Sequence, residues 1–105
     1  MDRKAQKELA ERFRAMHHGA GALLLPNAWD AISARLFAEA GFAAVATSSA
    51  SLAWALGYRD GEVAPWGEVA AATARIARVA GVPVSADIEK GYGDTPAEVG
   101  LHVAA

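Results

Sequence analysis

Short apolar runs alternate with amphipathic stretches along this chain, which is the pattern of strands separated by helices. Residues 22–25, 42–47 and 82–87 form short, mainly apolar runs and are predicted to be buried strands. Apolar residues recur at helical spacing over 27–41 and over 66–80, and glycine closes both segments. The pattern therefore predicts strands, each buried on both faces, with helices between them.

Two further helices are predicted at the ends of the chain. The charged N-terminal segment carries one apolar stripe of Ala5, Leu9, Phe13 and Met16, which predicts a surface helix over about residues 3–18. Residues 95–98 (Thr-Pro-Ala-Glu) have the form of a capping box with proline at the first helical position. Within the second predicted helix, Asn27 is the expected N-cap.

Alternating strands and helices with right-handed crossovers predict a parallel α/β sheet. An open doubly wound sheet and a (β/α)₈ barrel both fit this order of elements. A complete barrel takes roughly 250 residues, and this chain has 105. We therefore expect one partial barrel domain over residues 1–105, with the N-terminal helix followed by three β/α units. The unpaired strand edges of such a piece suggest a fragment of a longer protein.

Charge and composition exclude several kinds of partner. The net charge is −2 with no long run of Lys or Arg, so the chain lacks the basic surface that binds nucleic acids or anionic membranes. The chain contains no cysteine, which excludes disulfides, zinc thiolate sites and thiol nucleophiles. This composition is typical of a reducing compartment, and we expect a cytoplasmic protein that binds neither nucleic acid nor membrane.

In parallel α/β folds, ligands bind at the carboxyl ends of the strands. The polar residues predicted there are Asn27, the stretch Thr47-Ser48-Ser49, and the acids Asp87 and Glu89. In an extended segment these two acids would point to the same side about 7 Å apart, and they would repel each other without a cation or proton between them. Such oxygen ligands suit Mg²⁺, although solvated loop acids are the commoner arrangement for this spacing.

The remaining chemically interesting residues give weaker indications. Ser48 and Ser49 could hold a carboxylate or phosphate, but a polar strand exit is equally consistent with them. Gly91-Tyr92-Gly93 is neither a dinucleotide fingerprint nor a Walker A loop, and is interpreted as a loop turn. The histidines are interpreted as solvated helix-end groups and the tryptophans as packing residues; they are His17, His18, His102, Trp29, Trp54 and Trp66.

The segment Asp87-Ile88-Glu89-Lys90-Gly91-Tyr92-Gly93 resembles the metal-site signature of the isocitrate lyase and phosphoenolpyruvate mutase superfamily, D-x-D-x-G-Y-G. Four other segments resemble superfamily segments in the same order and spacing: Pro26-Asn27-Ala28-Trp29-Asp30-Ala31, Ser33-Ala34-Arg35, Ala40-Gly41-Phe42 and Leu56-Gly57-Tyr58-Arg59-Asp60. The resemblance covers nearly the whole of residues 23–93 and corresponds to the N-terminal portion of a 2-methylisocitrate lyase-like protein.

This resemblance implies a magnesium-dependent lyase acting on C–C or P–C bonds of small 2-hydroxy or 2-oxo carboxylic acids, with Mn²⁺ as a possible substitute. Asp87 would be the principal metal ligand, and Glu89 a second acid acting through bound water. Asp60 would be an outer acid on the substrate side. Ser48, Ser49 and Ala50 would hold the substrate's carboxylate or phosphonate. The full-length form would be a homo-oligomer.

Two departures from the superfamily pattern affect the substrate more than the fold. Its usual Ser-Gly pair is Ser48-Ser49 here, and its second aspartate is Glu89. The superfamily's catalytic acid or base would lie downstream of Ala105, so the 105-residue chain alone is expected to be inactive. A non-catalytic barrel module that oligomerises through its open sheet edges is the alternative function. A nucleotide-binding open sheet comes third, because the glycine fingerprint is missing.

Overall fold

Three short strands pair in parallel and are covered by helices in the computed structural model, which describes residues 2–104. The elements in chain order are α1 (Arg3–Met16), β1 (Asn27–Ala28), α2 (Ala31–Glu39), β2 (Val45–Thr47), α3 (Ser49–Leu56), α4 (Trp66–Ala80), β3 (Val84–Ser85) and α5 (Pro96–Ala104). The sheet order is β1-β2-β3, with Asn27 opposite Ala46 and Val45 opposite Val84. The predicted parallel α/β arrangement is confirmed.

Helix α4 has the bounds that the periodicity predicts, and it contributes more residues to the core cluster than any other element. Val69 and Ile76 lie on its buried face, and the helix ends at Gly81, whose φ of 69° is left-handed. Helix α4 packs against α2, α3 and β3. The buried core cluster consists of Ala28, Ala34, Leu52, Ala64, Val69, Ala72 and Ile76.

Helix α2 begins three residues later than predicted. Asp30, not Asn27, is its N-cap: the Asp30 side chain accepts the Ser33 N–H at 2.8 Å, and Ser33 Oγ accepts the Asp30 N–H at 3.1 Å. This reciprocal capping box satisfies two N–H groups that the helix itself cannot bond. Asn27 instead belongs to β1.

The prediction of a first strand over residues 22–25 is wrong. Pairing starts at Pro26, whose carbonyl accepts the Ala46 N–H at 2.9 Å, and β1 covers Asn27–Ala28. Leu24 is 66% exposed, so the apolar run is not enclosed as a buried strand would be. The other two strands are shorter than predicted, at Val45–Thr47 and Val84–Ser85.

Helix α3 lies in a segment for which the sequence predicted no clear structure. Ser48 is its N-cap and Gly57, with φ of 89°, follows its end. Residues 52–56 are apolar all round the helix, which leaves no polar face for a periodicity argument to detect. Leu52 is buried, whereas Trp54 is 67% exposed, so the expected packing of Trp54 is wrong.

The N-terminal helix α1 carries the predicted stripe. Ala5, Leu9, Phe13 and Met16 are its half-buried positions, and the rest of the helix is exposed. The sheet order leaves both architectures open, since a (β/α)₈ barrel and the first half of a dinucleotide-binding sheet both place three consecutive strands side by side. No helix among residues 2–104 is long and apolar enough to cross a membrane.

Candidate functional site

Two loops meet where the strands end. The loop after β3, residues 86–95, lies against the loop after α3, residues 57–65, through hydrogen bonds between residues 27–30 positions apart. The first loop is also tied to β2, because the Asp87 N–H donates to Thr47 Oγ1 at 3.0 Å. Thr47 is buried, so this contact holds the start of the loop against the end of β2.

Asp87 sits at the N-terminus of α3. Its Oδ2 accepts the Ser49 N–H at 3.3 Å, and its Oδ1 accepts the Glu89 N–H at 3.0 Å. The positive end of a helix favours a negative charge nearby, so the N-terminus of α3 is a favourable position for this carboxylate. Each oxygen accepts one hydrogen bond here and retains a lone pair for another partner.

Glu89 does not continue an extended strand beyond Asp87, and the expectation that both acids share one strand face is wrong. Glu89 lies in a turn with a left-handed φ of 51°. The turn forms because the Asp87 side chain bonds the backbone two residues on, which a short carboxylate does readily. Glu89 Oε2 accepts the Glu62 N–H at 2.8 Å and the Tyr92 hydroxyl at 3.4 Å.

Glu62 is the residue of this site that sequence reasoning missed. Its Oε2 accepts the N–H groups of Lys90 and Tyr92, both at 3.0 Å. The Glu62 side chain is only 13% exposed, and Lys90 Nζ lies 4.0 Å from its Oε1. Glu62 follows Gly61 in an irregular segment, where one acid among several polar residues gives no signal of a contact so far along the chain.

Tyr92 lies among the acids of both loops. Burial raises its pKa to about 12, and the negative charges of Glu89, Glu62 and Asp60 act in the same direction, as does the hydrogen bond to Glu89. A group with this pKa stays protonated near neutral pH, so Tyr92 serves as a hydrogen-bond donor to Glu89.

The two glycines of Gly91-Tyr92-Gly93 allow the loop to approach α5 closely. Gly91 has φ of 91°, and a Cβ added there would lie 2.5 Å from Val99 Cγ1. A Cβ at Gly93 would lie 2.8 Å from Glu98 Cβ. These glycines therefore bring the loop backbone against the start of a helix, where a side chain would not fit.

His102 holds α5 against the loop, so its interpretation as a solvated helix-end group is wrong. Its Nδ1 lies 2.7 Å from the Gly91 carbonyl oxygen, and its ring stacks on Trp66 at a centroid distance of 4.8 Å. Trp66 also packs against Tyr92 at 5.4 Å, as expected of a packing residue. His17, in contrast, is exposed at the end of α1.

The predicted capping box of α5 is modified. The Glu98 N–H donates to Thr95 Oγ1 at 3.2 Å, as the motif requires. The Glu98 carboxylate accepts the Asp94 N–H at 2.7 Å, one residue upstream of the expected donor. This bond also ties the end of the 86–95 loop to the helix.

The predicted substrate-binding residues lie around the same edge of the sheet. Ser48 accepts the Ser51 N–H at 3.4 Å as the cap of α3, and the Ser49 N–H is directed to Asp87. Ala50 is half-buried in the first turn of α3. Asp60 is exposed and acts on Tyr92 through its charge.

The chemistry of the donor set fits Mg²⁺ with few protein ligands. Within residues 2–104, no group of three or more His, Cys, Asp or Glu side chains is arranged to hold a metal ion. A cation here would use the carboxylates of Asp87 and Glu89, with water and substrate oxygens completing its shell. Mg²⁺ is commonly held by one or two carboxylates in this way.

Comparison with known proteins identifies the family and the fold. Residues 13–105 match the phosphoenolpyruvate phosphomutase family. The 2-methylisocitrate lyase of Halalkalibacterium halodurans is 36% identical over 90 residues, which are 86% of this chain and 30% of that protein.

Two solved structures share the fold. A candidate phosphonomutase from Burkholderia cenocepacia J2315 superposes with a TM-score of 0.88 and 42% identity, covering 92% of this chain and 39% of that one. A 2,3-dimethylmalate lyase of the phosphoenolpyruvate mutase/isocitrate lyase superfamily superposes with a TM-score of 0.78 and 26% identity, covering 91% and 32%.

The chain belongs to the phosphoenolpyruvate phosphomutase family, within the phosphoenolpyruvate mutase/isocitrate lyase superfamily. Its parallel strands and helices are the N-terminal β/α units of a (β/α)₈ barrel, and the predicted fold class is confirmed. The chain spans about a third of the length of the curated relatives it matches.

Proposed function

We propose that the native protein is a magnesium-dependent lyase that cleaves C–C or P–C bonds of small 2-hydroxy or 2-oxo carboxylic acids. The observation that carries this proposal is the placement of Asp87 at the carboxyl edge of a parallel sheet, between the N-terminus of α3 and Glu89. Relatives of this chain that are named as a lyase and a phosphomutase support the reaction class.

Asp87 and Glu89 would hold the cation, Mg²⁺ or Mn²⁺. A bound cation supplies positive charge that stabilises a developing enolate or alkoxide oxygen. The role of this chain is to fix the two carboxylates, and the hydrogen bonds from Ser49, Glu62 and Tyr92 restrict where their oxygens can point.

The start of α3 would bind the anionic end of the substrate. Helix N-termini attract carboxylates and phosphonates because their first N–H groups lack partners within the helix. Ser48, Ser49 and Ala50 form this end of the helix beside Asp87. Asp60, on the neighbouring loop, would contact the substrate side of the site.

The catalytic acid or base is not assigned to any residue of this chain, so turnover is proposed for the native-length protein. We also propose that this protein acts in the cytoplasm as a homo-oligomer. Nucleic acids and membranes are not proposed as partners.

Divalent metal affinity of the native-length protein tests the proposal. Asp87→Ala should weaken Mn²⁺ and Mg²⁺ binding by about a hundredfold or more, since losing even an outer-shell partner costs roughly 10–100-fold. Asp87→Asn removes the charge but keeps one accepting oxygen, so it can retain one of the two loop hydrogen bonds that Asp87→Ala loses. The matched control is Asp94→Ala, which removes a carboxylate from the same loop where the side chain is 93% exposed.

Metal binding followed by cleavage of a 2-hydroxy or 2-oxo acid would support the lyase. Equal metal affinity in wild type and Asp87→Ala would refute the site assignment. An oligomer that binds no divalent metal would instead favour the non-catalytic barrel module.

A further inference from the structure

We infer that Glu62 is a positioning residue that presets the loop of residues 87–93 for cation binding. The binding of a cation depends on the proposed function, whereas the contacts of Glu62 do not. Glu62 and the loop of residues 86–95 form hydrogen bonds in both directions. The Glu62 N–H donates to Glu89 Oε2, and Glu62 Oε2 accepts from the N–H groups of Lys90 and Tyr92. We call these three bonds the Glu62 clasp.

The clasp restricts the side chain of Glu89 and the backbone that follows it. The bond from the Glu62 N–H fixes one carboxylate oxygen of Glu89 at 2.8 Å. The two bonds to Glu62 Oε2 fix the turn immediately after Glu89, both at 3.0 Å. A carboxylate that accepts two backbone N–H groups makes strong, charge-assisted hydrogen bonds. Glu62 thereby sets both the direction of Glu89 and the path of the backbone after it.

The backbone of the loop is strained at the residues that the clasp joins. Among residues 2–104, the non-glycine residues with positive φ are Glu62, Glu89 and Tyr92, at 61°, 51° and 58°. Such conformations are costly for residues with a Cβ, and they persist where surrounding contacts over-determine them. The three bonds of the clasp supply those contacts, so removing them should release the loop towards ordinary backbone conformations.

The clasp also brings two acids together in an otherwise unfavourable arrangement. Glu62 is nearly enclosed while Glu89 is exposed, and the Lys90 ammonium lies near Glu62 Oε1. The Glu62 carboxylate is engaged by backbone N–H groups and by Lys90. The exposed Glu89 carboxylate therefore remains available to a cation. Glu62 thus acts through Glu89, without being a metal ligand itself.

The test compares three variants of the native-length protein by amide hydrogen exchange without metal and by Mn²⁺ titration. Glu62→Ala should reduce protection of the Lys90 and Tyr92 amides at least about tenfold and weaken Mn²⁺ binding by about 10–100-fold, as outer-shell changes do. Glu62→Gln retains an accepting oxygen and should rescue most of both properties. The control Glu39→Ala removes a carboxylate that pairs with Arg35 on α2 and should change neither.

The two measurements separate the clasp from the proposed function. Unchanged amide protection in Glu62→Ala would overturn the clasp. Lost protection with unchanged Mn²⁺ affinity would overturn the positioning role, since a purely structural residue behaves in that way. A wild-type protein that binds no Mn²⁺ would overturn the proposed function and the positioning role together, while the exchange data would still decide whether the clasp exists.

Discussion

The packed layer of α2 and α4 and the loop pair at the carboxyl edge of the sheet are held together by different forces. The helical layer is stabilised by apolar side chains such as Val69 and Ile76, which are fully removed from water. The two loops are joined to each other by hydrogen bonds between backbone N–H groups and carboxylates. Global stability should therefore depend on the first region, and ligand binding on the second.

Truncating the core of the helical layer should have the largest effect on stability. Ile76 is 0% exposed, and Ile76→Ala should lower the free energy of unfolding by about 2–5 kcal/mol through lost burial and a cavity. Ile32 lies on α2 at 64% exposure, and Ile32→Ala should cost no more than about 0.5 kcal/mol. Urea unfolding measures both. Equal losses would contradict this account of the core.

Substituting Gly91 should destabilise the loop pair by a smaller amount. Gly91→Ala places a Cβ against Val99 at a position with left-handed backbone. We expect it to lower the free energy of unfolding by about 1–3 kcal/mol. Gly67→Ala is the matched control, because Gly67 is helical with open space around it. It should stabilise α4 by about 0.5–1 kcal/mol. Thermal unfolding of both variants compares them, and a neutral Gly91→Ala would show that the loop does not press against α5.

Removing the His102 ring should loosen α5 from the loop. His102→Ala loses the bond to the Gly91 carbonyl and the stacking on Trp66, which together should cost about 1–2 kcal/mol. His18→Ala, at an exposed position after α1, should be neutral. Amide exchange across α5 measures the local effect. Unchanged exchange in His102→Ala would leave α5 held by other contacts.

The smallest effect expected is an alkaline loss of stability from Tyr92. Its folded pKa of about 12 lies above the ordinary 10.0. The folded state therefore keeps its proton where the unfolded chain loses it. The stabilising contribution is complete below about pH 10 and disappears as the pH rises to about 12. Urea unfolding at increasing pH, with phenolate absorbance as a second readout, should show this loss in wild type and less of it in Tyr92→Phe. Identical pH profiles would contradict the assignment.

The difference between the packed helical layer and the hydrogen-bonded loops also explains which features could be predicted from the sequence. The helix over 66–80 and the parallel order of elements follow from apolar periodicity, because burial against a sheet requires it. The stripe on α1 was also predicted from apolar periodicity, although its residues are only half-buried. Helix α3 was missed because its apolar residues surround it, and residues 22–25 were predicted to be a strand because an apolar run alone does not show whether another layer covers it.

The candidate site was predicted in part. Asp87 and Glu89 were identified from the position of strand ends and from the superfamily signature, since both depend on local sequence. Glu62 and His102 were not, because their partners lie 28–30 and 11 residues away and no local pattern records such bonds. The turn at Glu89 was also missed, because the alternation rule assumes that the strand continues.

Paramagnetic broadening by Mn²⁺ tests the central claim most directly. In amide spectra of the native-length protein, substoichiometric Mn²⁺ should first broaden the signals of residues 48–50 and 87–90, and excess Mg²⁺ should reverse the effect. Signals of α1, the charged N-terminal helix, should persist. Broadening centred on another acidic group, or none at all, would contradict the assignment of Asp87 and Glu89 as the cation site.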